Sequence, residues 1–459
     1  MTTAYHKKTF YKTVFWALAA MAVSKATGGV GMVAMFPVVL AMAFWKKSVW
    51  LLFMILLLVS AQIANSFFFP KNILFMMSVR GSLVILSFLL ATQIAGQRKS
   101  PIVTPFLGIF FYIGWEVLSS ASGYSPMISY LKLALFSSIY LSYYFVANDV
   151  VLNTRADARA VRSVVLCIAC FFLLGSVALI PFPGISLMTW GELEKQILVE
   201  SLFKGMTVHS QALGPMVATF GTLILGDLVF SVKRFDPLYI LLLLTVPVLI
   251  LKTGSRTALA TWVGGALVVG VLFMQARGVG VRWKGKVLQL GCAIGFLGLV
   301  AVISVPSTRQ SFMRFVLKHN IEEGTKLRSS DVTFDQITAS RQGKADECLY
   351  HFRQSPLIGN GFQVSEDMAY ERRSGVLSYL AAPIEKGFWP FAVLEEGGIF
   401  GLLIFGTFLL ITFVKLVKRH AYIAASTFTV LMLSNCGEFC YFSMTHVGGL
   451  LWALVFAAV

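Results

Sequence analysis

Charge is scarce in this chain. Only 13% of its 459 residues are Asp, Glu, Lys or Arg, against 57% hydrophobic, and soluble domains carry roughly a quarter charged residues. That balance excludes an ordinary soluble domain. Acid is scarcer than base, with 21 Asp and Glu against 38 Lys and Arg, for a net charge of +17. Cysteine is sparse as well. Cys167, Cys170, Cys292 and Cys436 fall in apolar runs, Cys440 in a short turn, and only Cys348 in a polar region, which excludes a disulfide framework. Cys167-Ile-Ala-Cys170 has redox-motif spacing, but inside an apolar helix the pair reads as two small hydrophobes. No Cys/His/Asp cluster has metal-ligand spacing, no Gly-Lys-Ser/Thr loop is set to cradle phosphates, and no serine elbow is present. No internal repeat or low-complexity segment is visible, which weighs against transporter folds built from duplicated halves.

What the chain has instead is apolar runs long enough to cross a bilayer. They predict an all-α polytopic membrane protein of about fourteen spans (twelve to fourteen), with one large outward-facing loop containing short helices. The first runs are Thr13–Val23, Val30–Trp45, Val49–Phe68, Ile73–Ala95, Ile102–Ser120, Tyr130–Ala147 and Val164–Ile180. After a loop from Pro181 to Ser210 come Ala212–Val232, Leu238–Leu251, Ala258–Met274 and Val287–Val305. Phe388–Val414, Ala421–Cys436 and Met444–Val459 follow the large polar stretch Pro306–Gly387. The organisation is therefore N-terminal spans (1–204), a second set of spans (205–305), the large loop (306–387) and C-terminal spans (388–459).

The excess positive charge sits in every second connection, from Lys7, Lys8 and Lys12 to Lys415, Lys418 and Arg419. Nineteen basic residues there face only Asp149, Asp157 and Asp236. The positive-inside rule makes that side cytoplasmic, with both termini on it. The charge thus sets topology and excludes nucleic acid as the partner; the partner implied is the lipid bilayer. Lys7 to Lys12 precede an apolar run without a small-residue cleavage site, so the first helix is expected to be retained.

The polar residues that topology does not need lie toward the outward face. Arg80, Glu116 and Lys132 fall inside predicted spans, where an unpaired charge costs several kcal/mol. They form either a polar cavity or an Arg80–Glu116 pair that locks helices. Lys252-Thr-Gly-Ser-Arg256 joins two spans at the outward surface. Ser255 or Thr253 can cap the second helix, and Arg256 beside free N–H donors suits a bound anion such as a diphosphate, as well as plain snorkelling to headgroups. His209 and Gln211 enter a span from the same side, His209 being a candidate base or substrate contact or a structural residue. In the large loop, Arg341 and Arg353 stand on a helix-like run before the Ser355-Pro356 to Gly361 turn, on a solvated surface or at a site. Glu385-Lys386-Gly387 closes the loop, with Glu395 and Glu396 two turns into the next span.

Three of these places carry a resemblance. They are Gly254-Ser-Arg256-Thr-Ala-Leu-Ala260; Arg341 with Ser355-Pro356-Leu-Ile-Gly359-Asn-Gly361; and Glu396-Gly-Gly398-Ile-Phe-Gly401. Their order and placement resemble the O-antigen ligase and polymerase superfamily of bacterial inner membranes, over roughly 205–414. Ser210-Gln211 stands where that family usually has Pro-Asn. The resemblance implies a metal-independent, inverting glycosyltransferase without a cofactor, acting at the periplasmic face. Its donor would be an undecaprenyl-diphosphate-linked glycan, and its acceptor a second glycan or lipid A core. A chain-length regulator and a flippase would be partner proteins. Arg256, Arg341 and Lys386 would hold the leaving diphosphate, helped by Arg80, Lys252, Ser255 and Arg353. Glu385 would be the base, with His209 second, and Gln211 and Glu396 would contact substrate. The ligases' His-Asn before the Glu-x-Gly helix is absent, which favours polymerisation of repeat units over ligation. The rival class is a lipid or polysaccharide transporter.

Overall fold

The structure, a computed structural model, describes residues 104–153, 155–187, 203–207, 209–231, 237–276, 334–364, 388–436 and 447–458. The predicted spans before residue 102 and Val287–Val305, together with Arg80, Glu385 and Lys386, lie outside these residues.

In chain order among the described residues the helices are α1 (Thr104–Ala121), α2 (Pro126–Asn153), α3 (Arg155–Ala178), the short α4 (Pro183–Ser186), α5 (Ser210–Phe230) and α6 (Pro237–Thr253). They continue with α7 (Arg256–Gln275), α8 (Phe334–Gln354), α9 (Trp389–Lys418), α10 (Tyr422–Asn435) and α11 (Val447–Ala458). Each predicted span within the described residues falls on one of these helices, and the only extended pairing there is an isolated bridge between Leu187 and Phe203. The helices overrun the apolar runs where local chemistry allows. Pro126 suits a first helical position, and α3 begins at Arg155, so Arg155, Arg159 and Arg162 stand on its first turns rather than in a loop. Val161–Ala178, Ser210–Phe230, Arg256–Gln275 and Trp389–Lys418 are long and apolar enough to cross a membrane. The described residues are those of an all-α membrane protein.

Helix α5 is the hub, with 89% of its span buried. A helix apolar on every side has no lipid or water face to offer, so it is enclosed, here by α3, α6, α7 and α10. Gly226, near the end of α5, lies against Ser426 at the start of α10, so the two run antiparallel. On the other side of α10, α9 packs on α1 and α8, while α11 packs on α2 and α3. An aromatic cluster fills the centre: Trp452 lies 5.2 Å from Tyr140, 5.7 Å from Phe428 and 6.2 Å from Phe408, ring centre to ring centre. Such pairs add about 0.5–1.5 kcal/mol beyond their burial.

The end of the bundle carrying Lys415, Lys418 and Arg419, here called the basic end, holds a network the sequence reading did not find. Arg162 Nε lies 3.4 Å from Asp227 Oδ1, its Nη1 donates to Ser231 Oγ (2.8 Å), and the Tyr239 hydroxyl donates to Asp227 Oδ2 (2.5 Å). This ties α3, α5 and α6 together. Arg162 counted only as a topology charge in the sequence, and Asp227 passed as one polar residue in an apolar run. Removing one partner of such a pair leaves the other desolvated. Asp227→Ala is expected to lower stability by about 3 kcal/mol, and Asp227→Asn by less because Tyr239 keeps an acceptor. Thermal unfolding in detergent reads both.

Candidate functional site

The site is built around a break in α9. At Gly398 the backbone takes φ 65°, ψ −164°, a conformation only glycine adopts easily, and the helix resumes after it. The break frees main-chain carbonyls within a long apolar helix, where they need donors. The turn after α8 supplies them. Asn360 N donates to Glu395 O (2.8 Å) and Gly361 N to Glu396 O (3.1 Å), while Ile399 N donates back to Pro356 O (2.9 Å). Trp115 Nε1 donates to Gly397 O (2.6 Å), and the Ser119 hydroxyl to Glu396 O. Gly359 and Gly398 make this approach feasible. A Cβ on Gly359 would run into the Glu396 carbonyl, and one on Gly398 into the Leu357 carbonyl.

The same turn is held against the end of α1 and the start of α2. Gly361 N donates to Ser119 Oγ (3.1 Å) and Phe362 N to Ser120 Oγ (3.3 Å). Ser129 Oγ donates to Phe362 O (3.0 Å), and Lys132 Nζ to Gln363 O (2.9 Å). Tyr124 N reaches Asn360 O (3.1 Å), Asn360 Nδ2 reaches His351 O (2.8 Å), and the Tyr124 hydroxyl lies 3.1 Å from His351 Nδ1. Around this knot sit three buried carboxylates, Glu116, Glu395 and Glu396, each at most 2% exposed. The Glu116 carboxylate lies against Gly397. Lys132, 4% exposed, is the buried cation of the same knot. Glu116 and Lys132, which the sequence analysis places toward the outward face, meet in this knot.

A second group stands on the other side of α10. The first turns of α5 and α7 lie side by side, Gly214 being pressed against Ser255. Ser255 caps α7, its hydroxyl accepting from Ala258 N (3.3 Å), as the sequence suggests. His209 caps α5: its Nδ1 accepts from Gln211 N (3.0 Å). That use of Nδ1 is structural. Two helix N-termini, each with a positive dipole end, thus converge. Arg256 and Gln211 are half-buried there, and Lys252 is exposed. A strap, Phe203–Thr207, crosses beside them, with Phe203 N donating to Lys252 O (3.3 Å) and Lys204 N to Ser186 O (2.8 Å). Lys204 is only 8% exposed and was not singled out from sequence, because nothing separates it from a loop lysine.

The sequence-nominated residues therefore fall into two groups at the end opposite the basic end. His209, Gln211, Lys252, Ser255 and Arg256 belong to the helix-start group. Glu396 belongs to the knot, and Arg353 is exposed on the last turn of α8. Helix α10 packs against α5, α7 and α9 and so stands between the groups. Arg341 lies on α8. Comparison with protein-family models, curated proteins and solved structures finds no match for this chain.

Proposed function

We propose that this protein is a membrane glycosyltransferase that polymerises undecaprenyl-diphosphate-linked oligosaccharide repeat units into exopolysaccharide or O-antigen. In this reading the chain crosses a bacterial inner membrane about fourteen times, with both termini cytoplasmic and the site periplasmic. The observation that carries it is the pair of capped helix starts with Arg256, Gln211 and Lys252 around them. Converging N–H donors and fixed cations are what a diphosphate leaving group requires, and they compensate its growing charge without a metal. Arg256 and Arg341 hold the diphosphate and Lys386 assists. Arg80, Ser255 and Arg353 complete the polar surroundings. Glu385 takes the proton of the acceptor hydroxyl, which attacks the anomeric carbon from the face opposite the departing diphosphate. Glu396 stays buried in the knot at Gly398, on the other side of α10.

Native mass spectrometry with undecaprenyl diphosphate and undecaprenyl monophosphate tests the anion site without turnover. The diphosphate is expected to bind more tightly, and Lys252→Gln to weaken it about tenfold. Equal binding of both lipids, unchanged by the substitution, would count against the site.

One observation favours a second reading, a transporter or flippase: Arg162–Asp227–Tyr239 places buried charge at the basic end as well. The two readings part at Asp227→Asn. Polymer formed by detergent-purified variant at the wild-type rate supports the transferase. Loss of lipid movement across vesicles, with no polymer from either protein, supports the transporter.

A further inference from the structure

The turn after α8 belongs to a loop that hydropathy places outside the membrane, yet its tip lies at the level of Gly398 and Ile399. Gly398 backs onto Leu357 O and Ile358 N, and Ile399 N bonds Pro356 O. That level can be measured along α9. Gly398 stands seventeen residues from Lys415, or about 26 Å at 1.5 Å per residue. The hydrocarbon core is about 30 Å thick. With Lys415 at one boundary, Gly398 and the tip fall about 4 Å inside the other. On helix α1, Trp115, bonded to Gly397 O, lies six residues before the helix end, about 9 Å along it.

At that depth, backbone outside a helix persists only where protein satisfies it. The tip meets the condition through its bonds to α9, α1 and α2. Its side chains do the opposite: Leu357 is 55% exposed and Ile358 43%. They continue the exposed apolar band of α9 formed by Ile399, Phe400 and Leu403, and Leu118 on α1 extends it. Apolar side chains exposed at this level suit hydrocarbon and not water.

We propose that Pro356–Ile358 is a re-entrant tip seated among the acyl chains of the leaflet opposite the basic end. The break at Gly398, with its carboxylates, then adjoins lipid sideways through this tip. The proposal stands without the transferase reading.

The test is nitroxide accessibility in phosphatidylethanolamine–phosphatidylglycerol vesicles, using the full chain with its native cysteines replaced and its monodispersity checked. Labels go on Leu357→Cys and Ile358→Cys, with Leu403→Cys as the lipid-facing control and Gln354→Cys as the polar one. The ratio of oxygen to nickel-chelate collisions at 357 and 358 is expected to match 403 and exceed 354 by about fivefold. A ratio like that at 354 would overturn the proposal by placing the tip in water. Shielding from both reagents would overturn it by placing the tip under protein. Leu357→Trp in the native-cysteine chain gives an independent readout. Brominated lipid should add quenching beyond that of the native tryptophans, and no added quenching would count against the proposal.

Discussion

Arg256→Ala is expected to lower polymer formation at least about a hundredfold while leaving the amount of folded protein unchanged. The two halves of that expectation have separate causes. Arg256 is the first residue of α7, next to the Ser255 cap, where free N–H groups already present positive charge. A cation there disfavours the helix by a few tenths of a kcal/mol or more, and alanine is the better helix former. By helix dipole and helix propensity, then, α7 gains nothing from arginine at this position. A diphosphate does, since the guanidinium can bridge two of its oxygens. Arg256→Lys should recover only part of the rate, because a point charge cannot reproduce a bidentate contact. Normal polymer from folded Arg256→Ala protein would remove the basis for the anion site.

Gly398→Ala is expected to destabilise the protein by about 3 kcal/mol, from a backbone penalty of about 1–3 kcal/mol for a conformation essentially confined to glycine and an overlap of similar size. The residue sits at φ 65°, and its new methyl would run into the Leu357 carbonyl. Either α9 straightens, and the carbonyls of Glu395 and Glu396 lose Asn360 N and Gly361 N, or the turn after α8 leaves the membrane. Gly359→Ala should act alike, since the two glycines make one close approach from opposite sides. Gly406 is the control: on the same helix, with nothing within 4 Å of an added Cβ, its alanine variant should be neutral or slightly stabilising. Thermal unfolding of the three variants in one detergent measures this. Equal transitions would mean that the docked break contributes little to the fold.

How much of this was legible in the sequence depended on the kind of signal. Spans show as uninterrupted apolar runs, and the helices from Thr104 onward follow them because hydrocarbon demands internal hydrogen bonding. The Ser255 cap, the turn at Gly359 to Gly361 and the intramembrane charges Glu116 and Lys132 were readable from residue type and position. The docking of that turn on α9 was not, because its bonds run between main-chain groups that any sequence carries. The adjacent glycines 397 and 398 were a signal for the break, yet in a long apolar run they read equally as close helix packing. Ser119, Ser120 and Ser129 gave no warning, since serines are common on such helices. Asp227 could have been found: it is a lone acid in an apolar run, the same cue that drew attention to Arg80 and Glu116. That the helix-start group and the knot lie on opposite sides of α10 follows from packing and has no local signature.

The central claim is polymerisation of lipid-linked repeat units, and it is tested most directly with purified protein in nanodiscs. The protein is given an undecaprenyl-diphosphate-linked repeat unit with EDTA present, beside the Arg256→Ala variant, and the products are resolved on a gel. The expected result is a ladder of repeat lengths from the wild type and none from the variant. Donor left unextended by the wild type, even after lipid A core is added as acceptor, would contradict the account.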